Sequence, residues 1–226
     1  MTPSAKRDWL VPVGLLMLSA IPVIAGASRA AQLAGGATVT PDNARFFASP
    51  APVLVHIVGV TLYSLLGAFQ FHRGFRGRRP GWHRVAGRLL AVCGLASALS
   101  GLWMTLFYAR PPGDGELLTG FRLVFGAAMA GCIVLGVAAI RRRDVARHRA
   151  WMARGYAIGM GAGTQVLTQL PVMLLIGQPS EFVRAMLMLA GWVINVVVVE
   201  WVLRRRTARP ARTRRTGEHA DVLAGR

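Results

Sequence analysis

Two short stretches hold the side chains best suited to chemistry. Arg141-Arg-Arg-Asp-Val-Ala-Arg-His148-Arg149-Ala-Trp151-Met152-Ala-Arg154 joins two long apolar segments, and a shorter echo, Trp82-His83-Arg84-Val-Ala-Gly87-Arg88, joins two others. In each, a His-Arg pair stands directly before an apolar run, and a further arginine follows one to two turns on. Imidazoles at the edge of a helical bundle are good axial ligands for haem iron, and neighbouring guanidinium groups suit its propionates. Arg84, Arg88, Arg149 and Arg154 could equally converge on a phosphate or carboxylate, whose oxygens match the guanidinium fork. Trp151 fits a third role, the interfacial anchor of a helix end.

A second set lies inside an apolar run. His56, Tyr63 and Gln70 recur every seven residues, which keeps them on one helix face to within about 40°. A polar stripe in a membrane helix faces the bundle interior, where it either hydrogen-bonds a neighbour or lines a site. Met104 is a conceivable partner for His56. Further on, Thr164, Gln165, Thr168 and Gln169 precede Pro171. Proline frees the carbonyl of Leu167, which these side chains would satisfy; as an alternative they form a polar notch that touches a ligand. Glu200 reads as an i,i+4 partner of Arg204.

The elements that must position these residues are membrane helices. Of 226 residues, 54% are hydrophobic and 16% charged, too apolar for an ordinary soluble domain. Charge-free runs lie between Asp8 and Arg29, Arg45 and Arg73, Arg88 and Arg110, Arg122 and Arg141, Arg154 and Glu181, and Arg184 and Glu200. About 20 apolar residues cross a hydrocarbon core, so five runs qualify outright and the sixth does so with Glu200 near its end. The expected fold is an all-α, polytopic bundle of six transmembrane helices. They are placed at about 9–27, 53–71, 86–108, 121–140, 156–176 and 183–203, in a single transmembrane domain over 1–206. Residues 207–226 read as a basic, disordered cytoplasmic tail. Ala25-Gly26-Ala27 resembles a cleavage site, but the first run is long enough to span and reads as a retained helix.

A net charge of +18 would suggest nucleic acid in a soluble protein. Here it follows the positive-inside pattern instead, and no nucleic-acid partner is expected. Most of the 27 basic residues fall in the N-terminus, 73–88, 141–154 and the tail from Arg204; the exceptions are Arg29, Arg45, Arg110, Arg122 and Arg184. Both termini are thereby placed in the cytoplasm of a bacterial inner membrane, with the lipid bilayer and anionic headgroups at the inner face as partners. Cys93 and Cys132 both fall in apolar runs and read as packing residues rather than a disulfide framework. Gly155, Gly159 and Gly163 form an i+4 ladder that asks for a close helix neighbour, while Gly136 reads as lipid-facing.

The combination Arg45-Phe46, His56, Gly67-Ala-Phe-Gln70-Phe71, His83-Arg84-x-x-Gly87-Arg88 and His148-Arg149-x-Trp151-Met152-x-Arg154-x-Tyr156 resembles the predicted bacterial membrane proteins of domain of unknown function 2306. The likeness spans roughly residues 45–200 and implies an uncharacterised multi-pass membrane protein, with no activity or cofactor attached.

Anchoring and packing account for each motif without a ligand, so a structural or accessory role is the first functional reading. Two alternatives remain. One is a b-type haem protein using inner-face histidines from among His72, His83 and His148. The other is a carrier or receptor for an anionic small molecule or lipid headgroup, with Gln165 and Gln169 extending a path inward. Gly-x-Ser-x-Gly, His-Glu-x-x-His, a phosphate loop and paired carboxylates are all missing from the sequence, so hydrolysis is not indicated. Oligomeric state and cargo have no signature in the chain.

Overall fold

A computed structural model describes residues 3–71 and 80–207. The basic connection at 72–79, with His72, and the tail from 208 onward lie outside the described residues. The described chain forms α1 (Pro3–Ala34), α2 (Ala44–Ala48), α3 (Pro50–Gln70), α4 (Pro80–Phe107), α5 (Glu116–Arg141), α6 (Val145–Gly159), α7 (Gly161–Leu175) and α8 (Glu181–Thr207). Six spans in it are long and apolar enough to cross a bilayer, with α6 and α7 together making the fifth. The all-α, six-span class expected from the charge-free runs is therefore the fold observed. With six spans, the first end of α1 and the last end of α8 lie on the face that also carries the α5–α6 connection, the basic face.

Local chemistry explains the helix ends. Pro50 opens α3, a position where its missing N–H costs nothing. Asp144 caps α6 by accepting the Arg147 N–H at 2.9 Å. Before it, Arg143 adopts a left-handed φ of 61° at the end of α5, the place where helices usually turn on glycine.

In packing order the bundle runs α1, α3, α4, α5, then α6 with α8, and α7 closes the ring against α1. The fifth span is not the continuous helix expected over 156–176: it breaks at Met160. There the N–H groups of Gly163 and Thr164 both donate to the Met160 carbonyl, at 3.1 and 3.4 Å, a local tightening of the helix. The break changes its neighbours. On the basic side α6 packs against α5, α8 and α3, whereas beyond the break α7 packs against α8 and α1.

The glycines explain how this span fits. A methyl at Gly155 would meet Cys132 and Ile133, one at Gly159 would meet Tyr63 and Met129, and one at Gly163 would overlap the backbone carbonyl of Leu18. The i+4 spacing thus serves several neighbours in turn rather than a single facing helix. Gly136 is corrected from lipid-facing to buried, because the thioether of Met152 fills the space beside it. Cys93 and Cys132 are buried free thiols in the central cluster with Tyr63, Ile133 and Tyr156.

Candidate functional site

At the basic face the structure ties the predicted residues into the frame. His148 Nδ1 lies 2.8 Å from the Gly136 carbonyl, so it carries the proton and pins the start of α6 to α5. Arg154 reaches Glu200 of α8 through Nε–Oε1 at 2.5 Å and Nη2–Oε2 at 3.0 Å, a two-point fork between helices. Its guanidinium also sits 5.0 Å from the Trp151 ring centre. Glu200 is thus a cross-helix partner of Arg154, where the sequence suggested only Arg204. Arg84, Arg88 and Arg149 are exposed, and His83 is half-buried near the start of α4. Helix α5 stands between α4 and α6 in the packing order, separating the helices that carry His83 and His148.

The stripe on α3 divides along its length. Tyr63 is 3% exposed in the core, its hydroxyl without a hydrogen-bond partner among the described residues. Gln70 Nε2 is likewise buried and unpartnered. His56 alone opens onto a cavity.

That cavity, about 380 Å3, occupies the end of the bundle opposite the basic face. It lies beside the break at Met160, bounded by α3, α4 and α5 and by residues of α6, α7 and α8 around that break. Its walls are apolar, with Leu102, Phe125, Met129, Ile158 and Trp192. Phe125 and Trp192 stack at 4.8 Å with their planes 12° apart, which sets a flat surface on one side. Met104 also lines it, on the same helix as the two serines that hold His56.

His56 Nδ1 lies 2.9 Å from the Ser97 carbonyl and 3.3 Å from Ser100 Oγ. The Ser100 hydroxyl donates to the Ala96 carbonyl at 2.6 Å. Since a carbonyl only accepts, Nδ1 bears the proton and Nε2 is left as the acceptor. Gln165 lines the floor and donates its Nε2 to the Met188 carbonyl at 3.0 Å. The Thr168 hydroxyl donates to the Leu187 carbonyl at 2.8 Å, and Gln169 Nε2 to Met188 Sδ at 2.9 Å. Instead of serving the Leu167 carbonyl, these side chains tie α7 to α8, and the Thr168 hydroxyl also reaches the Gln165 carbonyl of its own turn at 3.1 Å.

The mouth is cationic. Arg45, Arg110 and Arg122 line it. Arg122 and Arg184 share the fully buried carboxylate of Asp114, at 2.6 and 2.7 Å, and Arg110 pairs with Glu116 at the surface. Arg45 has no ion pair among the described residues. It lies over one side of the Phe46 ring at 4.6 Å, and Arg29 approaches the same ring at 4.6 Å. Burial, then repulsion from Arg29, holds the Arg45 pKa below that of a free guanidinium, against the attraction of the more distant Asp114 and Asp42 carboxylates. Tyr108 fixes this corner by donating to the Ser49 carbonyl at 2.5 Å and meeting Phe46 edge-on.

Sequence reasoning singled out His56, Met104 and Gln165, but not the arginines of the mouth. Their signal was present: Arg45, Arg110 and Arg122 are exceptions to the charge bias that places other cations on the basic face. No curated protein and no solved structure matches the chain. Residues 53–203, which hold α3 through most of α8 and nearly all of the cavity wall, match the family described as Predicted membrane protein (DUF2306), and the chain belongs to that family.

Proposed function

We propose that the cavity binds a small anionic amphiphile, with a carboxylate or phosphate head and an apolar body, and that the protein is a receptor or carrier for it. Arg45 carries the reading: a guanidinium without a carboxylate partner among the described residues, at the mouth of an apolar-walled cavity. An anion there would offset both its desolvation and its repulsion from Arg29. A hydrogen bond to a charged group is worth about 1.5–3 kcal/mol. The cavity volume lies within the usual range for small-molecule sites, roughly 300–1,000 Å3. This is the carrier alternative of the sequence, moved from the basic face to the opposite one.

The charge partition, which favours a cytoplasmic basic face in a bacterial inner membrane, opens the cavity outward. On the basic face, anchoring suffices for His148, Trp151 and Arg154, whose contacts are to helices of this chain. Arg84, Arg88 and Arg149 remain exposed there and suit anionic headgroups of the inner leaflet.

The test uses the full chain in lipid nanodiscs, unfolded thermally with decanoate, decyl phosphate or decanol present. A ligand that binds only the folded state raises the unfolding temperature. The two anions should do so and decanol should not, and Arg45→Gln should abolish the shift while unfolding near the parent temperature without ligand. Equal stabilisation by decanol, or an undiminished shift in Arg45→Gln, overturns the reading.

A further inference from the structure

We infer that the ligand carries a hydroxyl on its apolar body, which donates to acceptors deep in the cavity. The inference rests on the anionic-amphiphile reading and adds a second recognition point to it.

His56 spends its one N–H on the Ser97 carbonyl, so the neutral ring offers a lone pair at Nε2. No described residue donates to that atom, and it is not among the buried polar atoms sealed away without a partner. Gln165 shows the same pattern from the other wall. Its amide orientation is fixed because Nε2 must face the Met188 carbonyl, which leaves Oε1 as a free acceptor. Oε1 too receives no hydrogen bond from a described residue and is not sealed off. Thr105 and Thr119 line the cavity with hydroxyls that donate backward, to the carbonyls of Gly101 and Gly115. His56, Thr105 and Thr119 therefore have only acceptors left, their donors being spent on the protein, while Gln165 keeps one amide N–H beside its free oxygen.

Such an array discriminates. A purely apolar chain leaves the lone pairs of His56 and Gln165 without a partner, which is costly where the walls are apolar. A chain with a hydroxyl satisfies one of them and keeps its hydrocarbon against Leu102, Phe125 and Trp192. Sites built to hydrogen-bond a hydroxyl reject analogues that lack it much more strongly than hydrophobic pockets sort by size. Depth separates the two recognition points. His56 lies six residues into α3 from Pro50, about 9 Å along the helix axis, whereas Arg45 lies before that helix begins. The hydroxyl thus belongs in the body of the ligand or at its far end.

The experiment compares decanoate, 6-hydroxydecanoate and 10-hydroxydecanoate by titration calorimetry on the full chain in nanodiscs. At least one hydroxy acid should bind about tenfold tighter than decanoate, as one added hydrogen bond allows. His56→Phe or Gln165→Leu should erase the preference, so that in the variant neither hydroxy acid binds tighter than decanoate. If His56→Phe fails to fold, Gln165→Leu alone decides. Decanoate binding that depends on Arg45, with no preference for either hydroxy acid, overturns this inference and leaves the amphiphile reading intact. Failure of all three acids to bind removes both. A Soret band that appears when haem is supplied and is lost in His56→Phe would also overturn it, since the free imidazole edge would then be an iron ligand.

Discussion

Thr164 donates its hydroxyl to Asn195 Oδ1 at 2.7 Å, and the amide of the same Asn195 donates to the Ala157 carbonyl at 3.1 Å. Ala157 lies before the break at Met160 and Thr164 after it. One side chain on α8 therefore holds both halves of the fifth span, at the break beside which the cavity lies.

Asn195→Leu should remove both bonds and leave the Thr164 hydroxyl to find another acceptor. Hydrogen bonds between membrane helices average about 0.6 kcal/mol and reach about 1.7, so a loss of about 1–2 kcal/mol is expected in reversible unfolding from mixed micelles. Thr164→Val should cost less, and the double variant should cost less than the two losses added together, because the residues share one contact. Strict additivity would show that the Thr164–Asn195 bond adds nothing to holding the break.

Gly163 supplies a sharper contrast. A methyl there would overlap the Leu18 carbonyl, a backbone atom that cannot rotate aside, so α1 and α7 would have to separate. Gly163→Ala should destabilise by about 3 kcal/mol, the upper part of the overpacking range. Gly131, also in a helix, has open space where its side chain would stand, so Gly131→Ala should be neutral or stabilise by up to about 1 kcal/mol through helix propensity. Similar losses at the two positions would place the α1–α7 contact elsewhere.

The six spans were legible because a bilayer imposes a length and an apolar composition that the charged residues interrupt visibly. The break at Met160 was not. Gly155, Gly159 and Gly163 satisfy the same i+4 rule whether one neighbour or several press against them, and the residues that decide, Leu18, Tyr63 and Met129, are distant in sequence. Gly136 misled for the same reason: its partner Met152 belongs to the next helix, and nothing local reports it. His56 was readable as a bundle-facing residue from its seven-residue spacing. That it, and not His83 or His148, borders the cavity depends on how the six spans pack, which is a tertiary fact.

Arg45 raises the question of which side the cavity faces, and the charges give an answer that can be checked. Reporter fusions after Gly113 and Gly36 lie in the connections next to the cavity mouth, and a fusion after Arg143 lies in the α5–α6 connection of the basic face. Arginines in short connections resist translocation, and the basic connections hold far more of them than the mouth does. The Gly113 and Gly36 fusions should report the outside and the Arg143 fusion the cytoplasm. Transferring charge should test the cause: replacing Arg141, Arg142, Arg147 and Arg149 by Gln should weaken the bias and yield mixed signals at Gly113. A cytoplasmic signal at Gly113 in the parent chain would invert the bundle. The ligand of the cavity would then have to come from the cytoplasmic leaflet, with Arg45 facing that pool.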